Sequence, residues 1–185
     1  KYPKARLELR TKTTTIENLL NIEPAGNIVV SWTFSPQVII DNHEDKAPSL
    51  EERLRAAVDV QNAGYNVGIC LDPIILCDGW FDHYKTMLEK IIERLDMEGI
   101  KFISLGGFRY LPSLSKVIKE RDPQTNILLS EFVPCVDGKH RYFRPIRVEA
   151  YKEIGTVIRE LNKDVKISLC METPEVWNSV KDVLK

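Results

Sequence analysis

Six consecutive residues, Lys139, His140, Arg141, Tyr142, Phe143 and Arg144, form the densest basic and aromatic cluster of the 185-residue chain. Asp137-Gly138, just before them, is a hairpin turn signal. On a strand alternate side chains share a face, which sets Lys139, Arg141 and Phe143 against His140, Tyr142 and Arg144. Cations for phosphates and rings for stacking are what a nucleic-acid contact requires. The same residues would equally build a solvated hairpin with its aromatics packed underneath. The pattern supports either reading.

Other candidates stand at the ends of short apolar runs. Lys12 follows the first run and offers a point charge for a carboxylate, or is simply a solvated lysine. Thr33, beside Trp32, offers a hydroxyl, whereas Ser35 before Pro36 reads as a helix N-cap. Asp72-Pro73 reads as a functional carboxylate or as a strand-ending turn. Gly106-Gly107 lacks the G-x-G-x-x-G pattern, so it is a weak phosphate signal. The cysteines, Cys70, Cys77, Cys135 and Cys170, have no C-x-x-C or C-x-x-x-C-x-x-C spacing, and the histidines are His43, His83 and His140. A metal or cluster site built wholly from this chain is therefore not expected. Cys70 and Cys170 read as small core hydrophobes.

These positions need elements to hold them. Leu7 and Leu9 alternate with charges in an opening strand read over residues 1–10. Thr14 and Glu17 have capping-box spacing, as do Ser49 and Glu52 before a helix ended by Gly64. Ile28 to Phe34, Tyr65 to Leu71 and Lys101 to Leu105 read as strands, with helices between them. After Pro123 come a short strand over Asn126 to Leu129, the basic hairpin, a helix over 147–161, a strand over 165–170 and a helix over 174–184. This strand–helix alternation predicts α/β architecture with a mainly parallel sheet, either open and doubly wound or part of a (β/α) barrel. In both, chemistry gathers at the C-terminal ends of the strands.

A composition of 43% hydrophobic and 29% charged residues is that of a globular protein, and a net charge of −1 confines any nucleic-acid site to a local patch. No apolar run is long enough to span a membrane and no signal peptide is visible. Widely spaced cysteines fit reduced thiols in a cytoplasmic protein. The chain opens on Lys1 in what reads as mid-domain strand, so it reads as a piece of a longer protein.

Thr11-Lys12, Ile16 to Leu20, Asn27 to Glu44, Arg53 to Gly68 (R-x-x-A-A-x-x-V-x-x-A-G-Y-x-x-G), Pro73-Ile74 and Gly79-Trp80 recur in an order and spacing that can be matched as a set. Together they resemble the later half of the radical S-adenosylmethionine domain of spore photoproduct lyases and their photolyase-like relatives. The likeness continues more loosely through Pro123-Gln124-Thr125 into the hairpin. It implies the C-terminal half of a partial (β/α) barrel over residues 1–122, with a C-terminal α/β extension carrying the basic hairpin over 123–185. It implies two cofactors, S-adenosylmethionine and a four-iron cluster whose ligands lie outside this chain, and a 5′-deoxyadenosyl radical acting on a nucleic-acid lesion. By resemblance, Lys12 meets the S-adenosylmethionine carboxylate, Thr33 replaces a pocket serine and Pro73 lines the adenosine side. Lys139, Arg141, Tyr142 and Arg144 would contact substrate. The absent cluster motif, hydrogen-donor cysteine and relay tyrosines imply that this chain alone does no radical chemistry and needs an N-terminal half as partner. Cys170 to Trp177 is more similar to the photolyase-like relatives than to the spore enzyme. The alternative is a non-catalytic nucleic-acid-binding α/β module.

Overall fold

The computed structural model describes residues 4–185; residues 1–3, where the expected opening strand begins, lie outside them. In chain order the first elements are β1 (Leu7–Thr11), α1 (Glu17–Leu20), β2 (Ile28–Thr33), α2 (Gln37–His43) and α3 (Leu50–Asn62). Then come β3 (Asn66–Ile74), α4 (Trp80–Arg94), β4 (Ile100–Gly107), β5 (Arg109–Tyr110) and α5 (Pro112–Arg121). The chain closes with β6 (Phe132–Pro134), β7 (His140–Tyr142), α6 (Arg144–Leu161), β8 (Ile167–Leu169) and α7 (Pro174–Leu184).

Five strands form one parallel sheet in the order β1-β2-β3-β4-β8. Parallel neighbours need crossovers long enough to carry the chain back, and the helices between them supply these. The central strands are apolar and covered on both faces: Trp32, Ile69, Leu71, Ile103 and Leu105 are fully buried. Helix α3 begins in the expected capping box, with Glu52 N–H donating to Ser49 Oγ and Ser49 N–H donating to Glu52 Oε2. It ends at Gly64, whose φ of 93° lets Tyr65 N–H return to the Val60 carbonyl. Helix α4 buries Tyr84, Met87, Leu88 and Ile91 against the sheet, and α6 adds Tyr151, Ile154 and Ile158.

Three local expectations change. Asn126 to Leu129 is a turn closed by Leu129 N–H on the Asn126 carbonyl, since no strand among the described residues pairs with it; the hairpin's first arm is β6. Thr14 does not cap α1, because the helix starts at Glu17 with Ile16 in the N-cap position; the Thr11 and Thr13 hydroxyls before it make short turns by accepting from the Thr13 and Thr15 amides. Ser35 does not cap α2; Pro36 holds that position and the serine hydroxyl donates to Glu44. Beyond residue 122, β8 joins the same sheet beside β4, and Tyr151, Ile154, Val176 and Val180 share one core with the earlier strands. A three-stranded antiparallel sheet, β5-β7-β6, hangs from the C-terminal end of β4.

Candidate functional site

All five parallel strands end on one side of the sheet, so the residues that follow them collect there. Lys12 Nζ lies 2.8 Å from Glu44 Oε1, and Ser35 Oγ donates to the same oxygen at 2.8 Å. The other oxygen, Oε2, pairs with Arg53 Nη2. Arg53 is completely buried on α3, donating also to the Thr33 carbonyl (3.0 Å) and the Pro48 carbonyl (2.9 Å). Two cations around one carboxylate leave the group with a net charge of +1. Burial alone would raise the Glu44 pKa, but hydrogen bonds from Lys12, Arg53 and Ser35 outweigh it and lower the value. Thr33 itself is buried at the end of β2, beside Cys70 of β3.

A second charged group surrounds Asp72. Arg109 Nη1 lies 2.7 Å from Oδ1 and Nη2 lies 3.3 Å from Oδ2, with Arg10 Nη1 at 3.8 Å from Oδ2. The end of β8 closes against it: Arg109 Nη2 is 3.3 Å from Met171 Sδ and 3.7 Å from Cys170 Sγ. Cys170 is thus half-buried beside charges, whereas Cys70 is the small core residue expected. Burial pushes the Cys70 thiol up to about 12, making it a poor nucleophile. Burial, and then Asp72, raise Cys170 as well.

Lys12 and Pro73 border different hollows. Lys12, His43, Glu44 and Asp122 line one of about 890 Å³. Pro73, Arg109, Tyr110, Lys139 and Met171 line one of about 460 Å³. Phe108 lines both and stands between them, while Thr33 lines neither. The Gly107 amide donates to Tyr151 Oη at 2.7 Å, so it is engaged inside the protein rather than free for a phosphate.

The hairpin turns at Gly138, whose φ is 78°. Arg141 is only 7% exposed and grips Asp137 with both terminal nitrogens, at 2.7 and 2.8 Å. That grip holds the Asp137 carboxyl far below its usual range. Tyr142 is buried too: its ring stacks on Phe132 at 4.6 Å and its oxygen accepts from the Leu76 amide at 3.1 Å. Burial pushes its phenol up to about 12. Alternate residues of the hairpin keep common partners, as the two-faced reading expects: Lys139 and Arg141 both meet Asp137, whereas His140 and Tyr142 join the ring cluster of Tyr110 and Phe132. Lys139 sits at the rim of the smaller hollow, 3.8 Å from Asp137 Oδ2, and Arg144 is exposed beside Ser179 Oγ at 3.2 Å. Of the four expected substrate contacts, Lys139 and Arg144 therefore present their charges outward.

Arg109 belongs to the strand end Gly106-Gly107-Phe108-Arg109, where chemistry is expected, but sequence reasoning does not single out Glu44, Arg53 or Met171. Only Arg53 carries a signal: it falls on the stripe of Leu50, Leu54 and Ala57, an arginine on the buried side of a helix. Among the described residues no group of three or more histidines, cysteines or acids is placed to hold a metal ion. No helix among them is long and apolar enough to cross a membrane.

The family model for spore photoproduct lyase matches residues 1–153. The spore photoproduct lyase of Clostridium acetobutylicum is 24% identical over 127 residues, which are 69% of this chain and 38% of that protein. Those of a Geobacillus species and of Bacillus subtilis are 29% and 28% identical, over 68% of this chain and 38% and 37% of theirs. The chain thus spans under two fifths of the length of these relatives. Among solved structures, a cysteine-to-alanine variant of a spore photoproduct lyase superposes with a TM-score of 0.79 at 22% identity, over 89% of this chain and 50% of that one. A related variant, with bound AdoMet and dinucleoside spore photoproduct, gives 0.76 at 21% identity over the same shares.

Proposed function

Since this chain belongs to the spore photoproduct lyase family, we propose that it forms the C-terminal part of a radical S-adenosylmethionine enzyme acting on a nucleic-acid lesion. The observation that carries this reading is Lys12, held by Glu44 at the C-terminal edge of a parallel sheet in a group of net charge +1. An ammonium so placed suits the carboxylate of S-adenosylmethionine. A solved relative of the same fold was captured with AdoMet and a dinucleoside spore photoproduct. Thr33 would act from the end of β2, and Pro73 would line the adenosine side. Reductive cleavage of this cofactor beside an iron–sulfur cluster supplies hydrogen-atom abstraction. The cluster does not fit the described residues, whose four cysteines are dispersed, so its ligands belong to another segment. That segment would extend the sheet beyond β1 into a partial barrel, with residues 123–185 as the portion that carries the hairpin.

At the other end of the site, Lys139 and Arg144 would reach phosphates, with Arg141 bracing the turn and Tyr142 packing beneath it. Each phosphate contact on duplex DNA contributes about 0.9 to the slope of log K against log salt. Lys139→Ala and Arg144→Ala should each lower that slope by about this much in a duplex-binding titration. Unchanged slopes would remove the hairpin from the interface.

The test of the whole reading is anaerobic expression of this chain together with the cluster-bearing segment, followed by an assay for 5′-deoxyadenosine. Release that is lost in Lys12→Ala supports it. A reconstituted protein that releases none overturns it, and oligonucleotide binding without cleavage would leave a non-catalytic binding module.

A further inference from the structure

We infer that Arg53 is a positioning residue that cancels the charge of Glu44, so that Glu44 can orient Lys12 while the lysine's charge remains available to a ligand carboxylate. The inference rests on Lys12 being the cofactor's carboxylate contact. The two Glu44 oxygens are divided: Oε1 takes Lys12 and Ser35, and Oε2 takes Arg53 from behind. A Lys12–Glu44 pair alone would be neutral, and a carboxylate approaching Lys12 would meet the Glu44 charge at nearly the same distance. With Arg53 in place the group keeps one positive charge on its solvent side, where Lys12 is 37% exposed. An ammonium has three donors, so the one given to Glu44 leaves others for a ligand.

Stability alone is a weak account of Arg53. A fully buried guanidinium carries a large desolvation cost, and apolar residues of similar volume often replace buried ion pairs without loss. What Arg53 holds is more telling. Its fork joins Glu44, and through it Lys12, to the Thr33 carbonyl at the end of β2, so one side chain from α3 braces two of the three candidate cofactor contacts.

The experiment is calorimetric titration of the full chain with two probes, S-adenosylhomocysteine and its decarboxylated form, which differ only in the carboxylate. Wild type should prefer the carboxylate form. Arg53→Met should reduce that preference about tenfold, a coupling of ordinary size, and leave the decarboxylated ligand unaffected. Glu44→Gln/Arg53→Met returns the group to net +1 and should recover most of the preference, as should Arg53→Lys. If Arg53→Met does not fold, those two variants decide: both keep the net charge and, when folded by circular dichroism, both should keep the preference. Equal weakening of both ligands in Arg53→Met, or a preference lost in folded Arg53→Lys and in the double variant alike, overturns the inference but leaves the cofactor reading intact. A wild type that binds neither probe, or both alike, overturns the two together.

Discussion

Gly106 and Asp72 meet where β3 and β4 end, and their fit depends on a single absent carbon. A Cβ at position 106 would lie 2.5 Å from Asp72 Oδ1 and 3.2 Å from Cys170 Cβ. Asp72 is fixed by both terminal nitrogens of Arg109, so it has little freedom to move aside. Gly106→Ala should therefore destabilise the protein by about 1–3 kcal/mol in urea unfolding, the usual cost of overpacking. A change of only a few tenths would mean that the carboxylate swings away freely. Glu44 offers a second prediction at this scale. Its folded pKa lies below the ordinary 4.5, so its contribution to stability is complete above that value and is lost as pH falls through the lower, folded one. On acidification below 4.5, wild type should lose stability more steeply than Glu44→Gln in denaturant titrations. Parallel losses would show that the carboxylate gains nothing from its cations. Lys12 was legible because it stands where the apolar run of β1 marks a strand end, whereas β3 runs on through Pro73 to Ile74, past the end at Leu71 that its apolar run marks. The inward turn of Arg141 was not legible, since alternation places side chains on faces but says nothing of Asp137 reaching back over the strand.

Elements are tied to one another by a buried polar relay at the same edge. Tyr151 Oη of α6 accepts from the Gly107 amide of β4 and donates to Glu172 Oε1 at 2.7 Å. Arg147, also on α6, sits 3.0 Å from the same carboxylate oxygen and donates through Nη1 to the Tyr142 carbonyl of β7. One helix thus fastens the main sheet, the hairpin sheet and the loop after β8. Both charged side chains are nearly fully buried, so removing one strands the other. Arg147→Met should cost about 3–5 kcal/mol, the range for breaking a buried ion pair. Tyr151→Phe, which removes only hydrogen bonds, should cost about 1–3 kcal/mol. Equal effects of the two in thermal and urea unfolding would argue that Glu172 is reached by water. Helices and central strands could be read because their signals are local: the Ser49–Glu52 box and the apolar run of β3 do not depend on distant contacts. The turn at Asn126 to Leu129 reads as a strand for the same reason, because a short apolar run becomes one only if a neighbour is there to pair with it.

At the scale of the molecule, the sheet is unevenly finished. Strand β3 is covered on both faces, whereas every residue of β1 except Thr11 is exposed, with Leu7 at 49% and Leu9 at 38%. Its outer row of amides and carbonyls has no pairing strand among the described residues. Helix α5 adds to the exposed apolar surface, burying none of its residues and leaving Leu114 and Val117 in solvent. A parallel edge with apolar side chains is a template for another strand. In the proposed enzyme the cluster-bearing segment would occupy it, which is consistent with a chain that spans 50% of its solved relatives. Without that segment, edges of different molecules are free to meet. Sedimentation velocity of this chain alone should then show self-association that rises with concentration. Leu9→Lys, placing a charge on the edge strand, should shift it toward monomer while leaving the circular dichroism spectrum unchanged. Addition of the cluster-bearing segment should suppress association in the same way, by covering the edge rather than charging it. A chain that stays monomeric at high concentration would mean that β1 is protected by its own flanking residues, and the docking of a further strand there would lose its physical basis.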